Sequence, residues 1–325
     1  MTLPSAQLGI LCMICAMFAI SLNDMLIKAL SGGYPLHQIV FVRTAIGLVF
    51  TLALLRWEGG WHLLKTRAPG LHLLRATLLV GANTIFYAAF VTMPLATANA
   101  LYFVAPLLVS LLSVPILGER IGLRRILAIL AGFVGVLVML APQMRGADAI
   151  GWLALLPVIA ASCYALMAVL TRMLGREARA SALAFYAQAA FLVVSLAVFA
   201  VAGQGQFLKE GANDSLVFLL RPWVWPAEGD WAPFIGLGLT SAVVGYTISQ
   251  AYRLANAATV APFEYILLLF ALFWGWTVFG EWPQPLVFVG AAIIVAAGIY
   301  VFLRERRGGY PRLSSTIRRI WSSGR

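Results

Sequence analysis

Ten apolar stretches of membrane-spanning length follow one another along this chain, and nothing else constrains its fold as tightly. A hydrocarbon core of about 30 Å takes roughly 20 helical residues to cross. The stretches cover 9–30, 36–55, 71–92, 97–117, 123–141, 150–172, 181–202, 231–254, 259–279 and 285–303. In lipid every backbone N–H and C=O must be satisfied inside the chain, so only helices and closed barrels span. Unbroken apolar runs predict helices, since barrel strands alternate. The expected fold is an all-α polytopic membrane protein with ten transmembrane helices. Charged residues are 11% of the chain, against about a quarter in soluble domains, so no soluble domain is left over.

The net charge of +11 raises the question of a polyanionic partner, and its placement answers it. With the N-terminus set in the cytoplasm, eighteen of the 23 basic residues fall on the cytoplasmic side. They include Arg56, Lys65, Arg67, Arg75, Arg120, Arg124, Arg125, Arg172, Arg176, Arg179, Arg253 and the tail arginines from Arg304 onward. Arg145, Lys209 and Arg221 take the other side, while Lys28 and Arg43 lie inside spans. This is the positive-inside asymmetry. It predicts an inner-membrane protein with both termini cytoplasmic, basic flanks against anionic lipid heads and no nucleic-acid partner. No cleavable leader is expected, because the first stretch lacks a basic flank and is too long for one.

The second five stretches repeat the first five. Thr97 opens a span that ends in Gly118-Glu119, and Thr259 opens one that ends in Gly280-Glu281, at a common offset of 162 residues. Five spans is an odd number, so the second copy enters the membrane from the opposite face. The expected units are 8–142, 149–305 and a basic tail, 306–325. Inverted repeats around a midplane site are typical of secondary transporters.

Other residues carry a family resemblance: Asn23, Asp24 and Lys28 at the end of span one, Arg43 in span two, and the two Gly-Glu span ends. With them go Ala251-Tyr252-Arg253-Leu254-Ala255 and Val260-Ala261-Pro262-Phe263-Glu264-Tyr265. Together these resemble the drug/metabolite transporter superfamily, in its ten-helix EamA-type branch, over residues 8 to 305. The resemblance implies a small-molecule substrate in a cavity between helices 1–4 and 6–9, with helices 5 and 10 peripheral and able to form a homodimer. Asp24 with the 262–265 pattern is similar to members that take up S-adenosylmethionine; other members take riboflavin. Export of amino acids or related metabolites is the alternative within the family. A channel or membrane receptor is the alternative outside it.

An ionisable side chain at a helix centre costs at least about 2.5 kcal/mol, so those present need a reason. Asp24 and Arg43 lie at matching depth on consecutive helices, about 10 Å from the same surface at 1.5 Å per residue. Lys28 shares a helical face with Asp24. They read either as an ion pair or triad fixing two helices, with Lys28 snorkelling, or as a charged lining that binds solute or takes up a proton. Glu264 follows Pro262, whose missing N–H frees carbonyls in the turn before it. It is either paired with Arg253 or a counter-charge for a cationic solute or a proton. Asn83, Tyr87, Asn99, Tyr102, Tyr164, Gln188, Tyr246, Gln250 and Tyr265 complete the candidate substrate lining, with Tyr186 and Ser241 beside them.

Several features are expected to serve structure. Gly132, Gly135, Gly290 and Gly298 let helices approach. Trp223, Trp225 and Trp231 read as an interfacial aromatic belt around a long loop, 203–230, which is otherwise a lid. Glu119 and Glu281 organise loops. Cys12, Cys15 and Cys163 fall within spans, and His37, His62 and His72 stand apart. No metal site, cofactor or catalytic pair is therefore expected.

Overall fold

The computed structural model describes residues 5–65, 69–117, 123–143, 151–174, 180–209, 211–254 and 261–308. All regular structure among them is helical. The helices are α1 (Ser5–Leu30), α2 (Leu36–Glu58), α3 (Pro69–Ala89), α4 (Leu95–Tyr102), α5 (Ala105–Leu117) and α6 (Leu123–Gln143). There follow α7 (Leu156–Leu174), α8 (Ala180–Ala202), α9 (Asp214–Leu220), α10 (Trp231–Leu254), α11 (Ile266–Phe279) and α12 (Pro285–Gly308). Single 3₁₀ turns occupy Trp61–Leu64, Gly151–Leu155, Glu228–Asp230 and Ala261–Tyr265.

Among the described residues seven stretches are long and apolar enough to cross a membrane: Gln7–Leu30, Leu36–Glu58, Pro69–Ala89, Leu95–Ile116, Trp152–Leu170, Ala184–Ala202 and Glu228–Ile248. Ile126–Met139, Phe263–Phe279 and Pro285–Tyr300 are shorter apolar helices. The tail beyond 308, the Gly118-Glu119 span end and the 144–150 connection lie outside the described residues.

The fourth apolar stretch, expected as one helix, is two. Val104 N–H reaches back only to Leu101 O at 3.3 Å, and the bond from Leu108 N–H to Val104 O restarts the helix. Proline at position 106 has no N–H for the Tyr102 carbonyl and disfavours helix at the residue before it. The ninth stretch changes character in the same way, passing from the Ala261–Tyr265 3₁₀ turn into α11. The first break carries Phe103, and the second carries Phe263, Glu264 and Tyr265.

Packing joins early helices to late ones. α1 lies along α10, α2 along α8, α3 along α7 and α6 along α12. α2 also meets α10, α3 meets α8, α4 and α5 meet α7, and α1 and α4 meet α11. The α6–α12 seam is close because both sides lack a Cβ: one built on Gly135 would stand 2.8 Å from the Gly290 carbonyl oxygen. Gly132 abuts Leu107 of α5, and Gly298 abuts the Tyr265 ring. These glycines thus serve packing within the chain. Leu123, Leu127, Leu130, Val134 and Leu137 are exposed on α6, an apolar outer face suited to lipid.

Candidate functional site

Near the end of α1, Asn23 and Asp24 are both buried, and they face different partners. Asn23 Nδ2 donates to Thr240 Oγ1 at 3.0 Å and Ser241 Oγ at 3.1 Å, tying α1 to α10. Its Oδ1 accepts from Arg43 Nη1 at 3.2 Å. Arg43 also donates to Tyr87 Oη at 3.2 Å and stands over the Tyr87 and Phe191 rings, 5.7 and 5.4 Å from their centroids. The pairing of Asp24 with Arg43 weighed from sequence does not form. Among the described residues no ion pair within 4.0 Å involves Asp24. The guanidinium is instead held by neutral oxygens and aromatic faces, a cation–π arrangement that gains when desolvated. The Asn99 side chain on α4 lies within reach of the Asp24 carboxyl while its Nδ2 donates to Leu95 O at 3.1 Å, and Asp24 Oδ2 is buried without a partner.

An aromatic wall runs from this cluster toward the opposite end of the bundle. Tyr87 Oη holds Arg43, and Phe86 and Tyr102 lie 4.6 Å apart between centroids. Tyr102 and Tyr164 lie 5.7 Å apart, and Phe103 and Tyr265 5.1 Å. Tyr102 is within electrostatic reach of both Asp24 and Tyr164. Tyr164 in turn is within reach of Glu264 and Arg75, and it keeps 37% of its surface uncovered. The 3₁₀ turn that carries Glu264 packs on α1. The Arg253 side chain expected beside Glu264 lies outside the described residues.

Arg75 corrects the sequence reading. Counted with the cytoplasmic-side charges although it falls inside the stretch 71–92, it is buried within α3. Its neighbours include Tyr164 and His72. Its helix begins at Pro69, so the arginine enters almost two turns inside. The only sequence signal was its position past the start of an apolar run.

Lys28 does not snorkel. Its Nζ donates to Glu281 Oε1 at 2.6 Å, to Oε2 at 2.8 Å and to Met93 O at 3.1 Å. Glu281 Oε2 also accepts from Leu95 N–H, the start of α4, at 3.2 Å. The glutamate is aimed by the end of α11. Gly280 adopts φ 64° and ψ 17°, and Glu281 N–H returns to Gly275 O at 2.8 Å. That left-handed residue closes the helix most cheaply as glycine. A cavity of about 500 Å³ opens beyond this pair, lined among others by Phe90, Phe279, Asp214 and Arg221. Asp24 lies four residues further in, about 6 Å along the helix.

The 203–230 connection is fastened over this end. Ser215 Oγ donates to Ala88 O at 2.7 Å, Gln38 exchanges two bonds with Val224, and Arg221 Nη1 donates to Gly32 O. Tyr34 Oη donates to Asp230 Oδ2 at 2.6 Å and accepts from Ala227 N–H. The Asp230 bond raises the Tyr34 hydroxyl above its ordinary pKa of 10.0. Trp223, expected in an interfacial belt, is packed instead among His37, Phe41 and Phe199, with 4.3 Å between the Phe199 and Trp223 centroids. Trp225 and Trp231 are exposed as a belt requires.

The remaining candidates stand apart from the cluster or at its edge. Asn83 bonds its own helix at Leu79 O, and Tyr246 is exposed. Gln188 on α8 lies against Gly47 of α2, where a Cβ would come within 2.8 Å of its Nε2. Gln250 is half-buried on α10. Tyr186 donates to Leu64 O and so ties down the 61–64 turn. No group of three His, Cys, Asp or Glu among the described residues is placed to hold a metal.

The EamA-like transporter family model matches residues 7–141. A riboflavin transporter of Vibrio cholerae is 30% identical over 271 residues, 83% of this chain and 83% of that protein. An S-adenosylmethionine uptake transporter of Rickettsia prowazekii is 24% identical over 299 residues, 92% and 94% of the two chains. A pseudopaline exporter of Pseudomonas aeruginosa is 27% identical over 309 residues, 95% of this chain and all of that one.

Proposed function

The chain belongs to the EamA-like transporter family, and from that membership we propose that it takes up a cofactor- or vitamin-like solute, riboflavin or S-adenosylmethionine. It is a multi-pass membrane transporter and not an enzyme. In this proposal ten spans form two inverted halves, 8–142 and 149–305, in the inner membrane with both termini cytoplasmic. The halves alternate access to a site between them.

The helix pairing supports two inverted halves. Exchanging the first five spans for the second five turns the α1–α10 seam into α7–α3, and the α2–α10 contact into α8–α3. It turns the α1–α11 contact into that of α7 with α4 and α5, and returns α2–α8 and α6–α12 to themselves. A two-fold axis lying in the membrane plane produces this pattern.

The observation that carries the solute reading is the cluster at mid-bundle. Asp24 and Arg43 are buried close together without bonding each other, beside a wall formed by Phe86, Tyr87, Tyr102 and Tyr164. Such a site offers a carboxyl and a cationic anchor and flat faces for a heterocycle. The similarity to riboflavin and S-adenosylmethionine carriers favours solutes of that shape. Export is the second reading, favoured by the similarity to the pseudopaline exporter, because direction follows gradients rather than geometry.

Thermal unfolding of the purified protein with each solute tests this. A ligand at a hundred times its Kd adds about 2.7 kcal/mol to the folded state, a clear rise in Tm. We expect that rise with riboflavin or S-adenosylmethionine, and its loss together with uptake in Arg43→Gln and Glu264→Gln. Unchanged uptake in both variants would remove the site assignment, and no rise with either solute would favour export of another metabolite.

A further inference from the structure

We propose that Asp24 carries a proton through the transport cycle, so that solute movement is coupled to hydrogen ions. This rests on the carrier reading above and adds the coupling ion to it. Asp24 is 3% exposed, and its Oδ2 has no hydrogen-bond partner. An ionised carboxylate buried without a bonded counter-ion is more costly than a neutral acid, so such a group takes up a proton instead.

Among the described residues the cations beside Asp24 bond other partners, and Arg43 acts on its carboxyl only through space. On its own helix, Lys28 is committed to Glu281 and Met93 O. On α2, Arg43 is committed to Asn23 and Tyr87 and to two ring faces. From α3 and α4 come Tyr87, Asn99 and Tyr102, and beyond them Tyr164 from α7. On α10, Thr240 and Ser241 receive Asn23. The 3₁₀ turn packed on α1 brings Glu264, a second acid. Glu264 has a contact of its own, and the buried carboxylate oxygen without a hydrogen-bond partner belongs to Asp24. The chemistry is one bond made and one broken. A hydronium ion at one face gives its proton to Asp24, forming an O–H bond; that bond breaks to water at the other face, and one proton has crossed.

Infrared spectroscopy of the protein in liposomes tests this without any solute. The wild type at neutral pH should show the carbonyl stretch of a protonated carboxylic acid, absent from Asp24→Asn and displaced in Asp24→Glu. Should Asp24→Asn fail to fold, the displacement in Asp24→Glu decides alone. No such band in the wild type, or the same band in all variants, would overturn the proposal. So would bleaching by sodium at constant pH, which would make the ligand a metal cation. If the band behaves as expected but riboflavin and S-adenosylmethionine are not carried, the solute reading fails and the proton site stands.

Discussion

Lys28 and Glu281 are 253 residues apart and meet at 2.6 Å. The lysine is 9% and the glutamate 27% exposed as side chains, so water weakens the pair without dissolving it. Removing the lysine strands a carboxylate that keeps only the Leu95 N–H. Lys28→Met should therefore destabilise the protein by about 1–3 kcal/mol, the cost of an unsatisfied, half-buried polar group. Exchanging the charges, Lys28→Glu with Glu281→Lys, should recover part of that loss. Melting temperatures in detergent check both, and an unchanged Tm in Lys28→Met would mean the pair bears no load. The charged residues themselves were legible in the sequence, because charge inside an apolar run is conspicuous. Their partners were not. Depth pointed Asp24 toward Arg43, whereas Arg43 turns to Asn23 and Tyr87, and Lys28 reaches a glutamate far along the chain. Arg75 fell inside the apolar run 71–92, but hydropathy alone does not say that a residue so near the helix start is covered.

Among the elements, the apolar runs located the helices to within a few residues. The run 231–254 coincides with α10 and the run 181–202 begins one residue inside α8. The fourth run hid a break, because hydropathy does not register the single N–H that a proline lacks. Close approach of helices was legible as glycine, though not which helix would fill the space. That space is now testable. Gly135→Leu forces a side chain against the Gly290 carbonyl and should cost roughly 1–3 kcal/mol, as overpacking does. Gly81→Ala, on a helix with open space around it, should be neutral or stabilise by up to about 1 kcal/mol through helix propensity. Thermal unfolding of the two variants side by side checks the contrast; equal effects would mean that the α6–α12 seam has room to spare.

For the whole molecule, orientation is the property most open to direct measurement. Gly32 and Lys65 are both exposed, at the two ends of α2 and its flanking turns. A membrane-impermeant thiol reagent added to intact cells should label Gly32→Cys and leave Lys65→Cys until the membrane is opened. The reverse pattern would invert the topology. The seams themselves carry a consequence for how the chain is made. α1, α2, α3 and α6 each find their main neighbour among α7, α8, α10 and α12, all of which are synthesised later. When the ribosome reaches residue 143, the buried polar groups Asn23 and Arg43 are already inserted, but Thr240, Ser241 and the Phe191 face do not yet exist. The nascent first half must therefore wait in the bilayer with Asn23 Nδ2 unpartnered and one face of Arg43 uncovered, and the native core can close only after most of the chain has been translated.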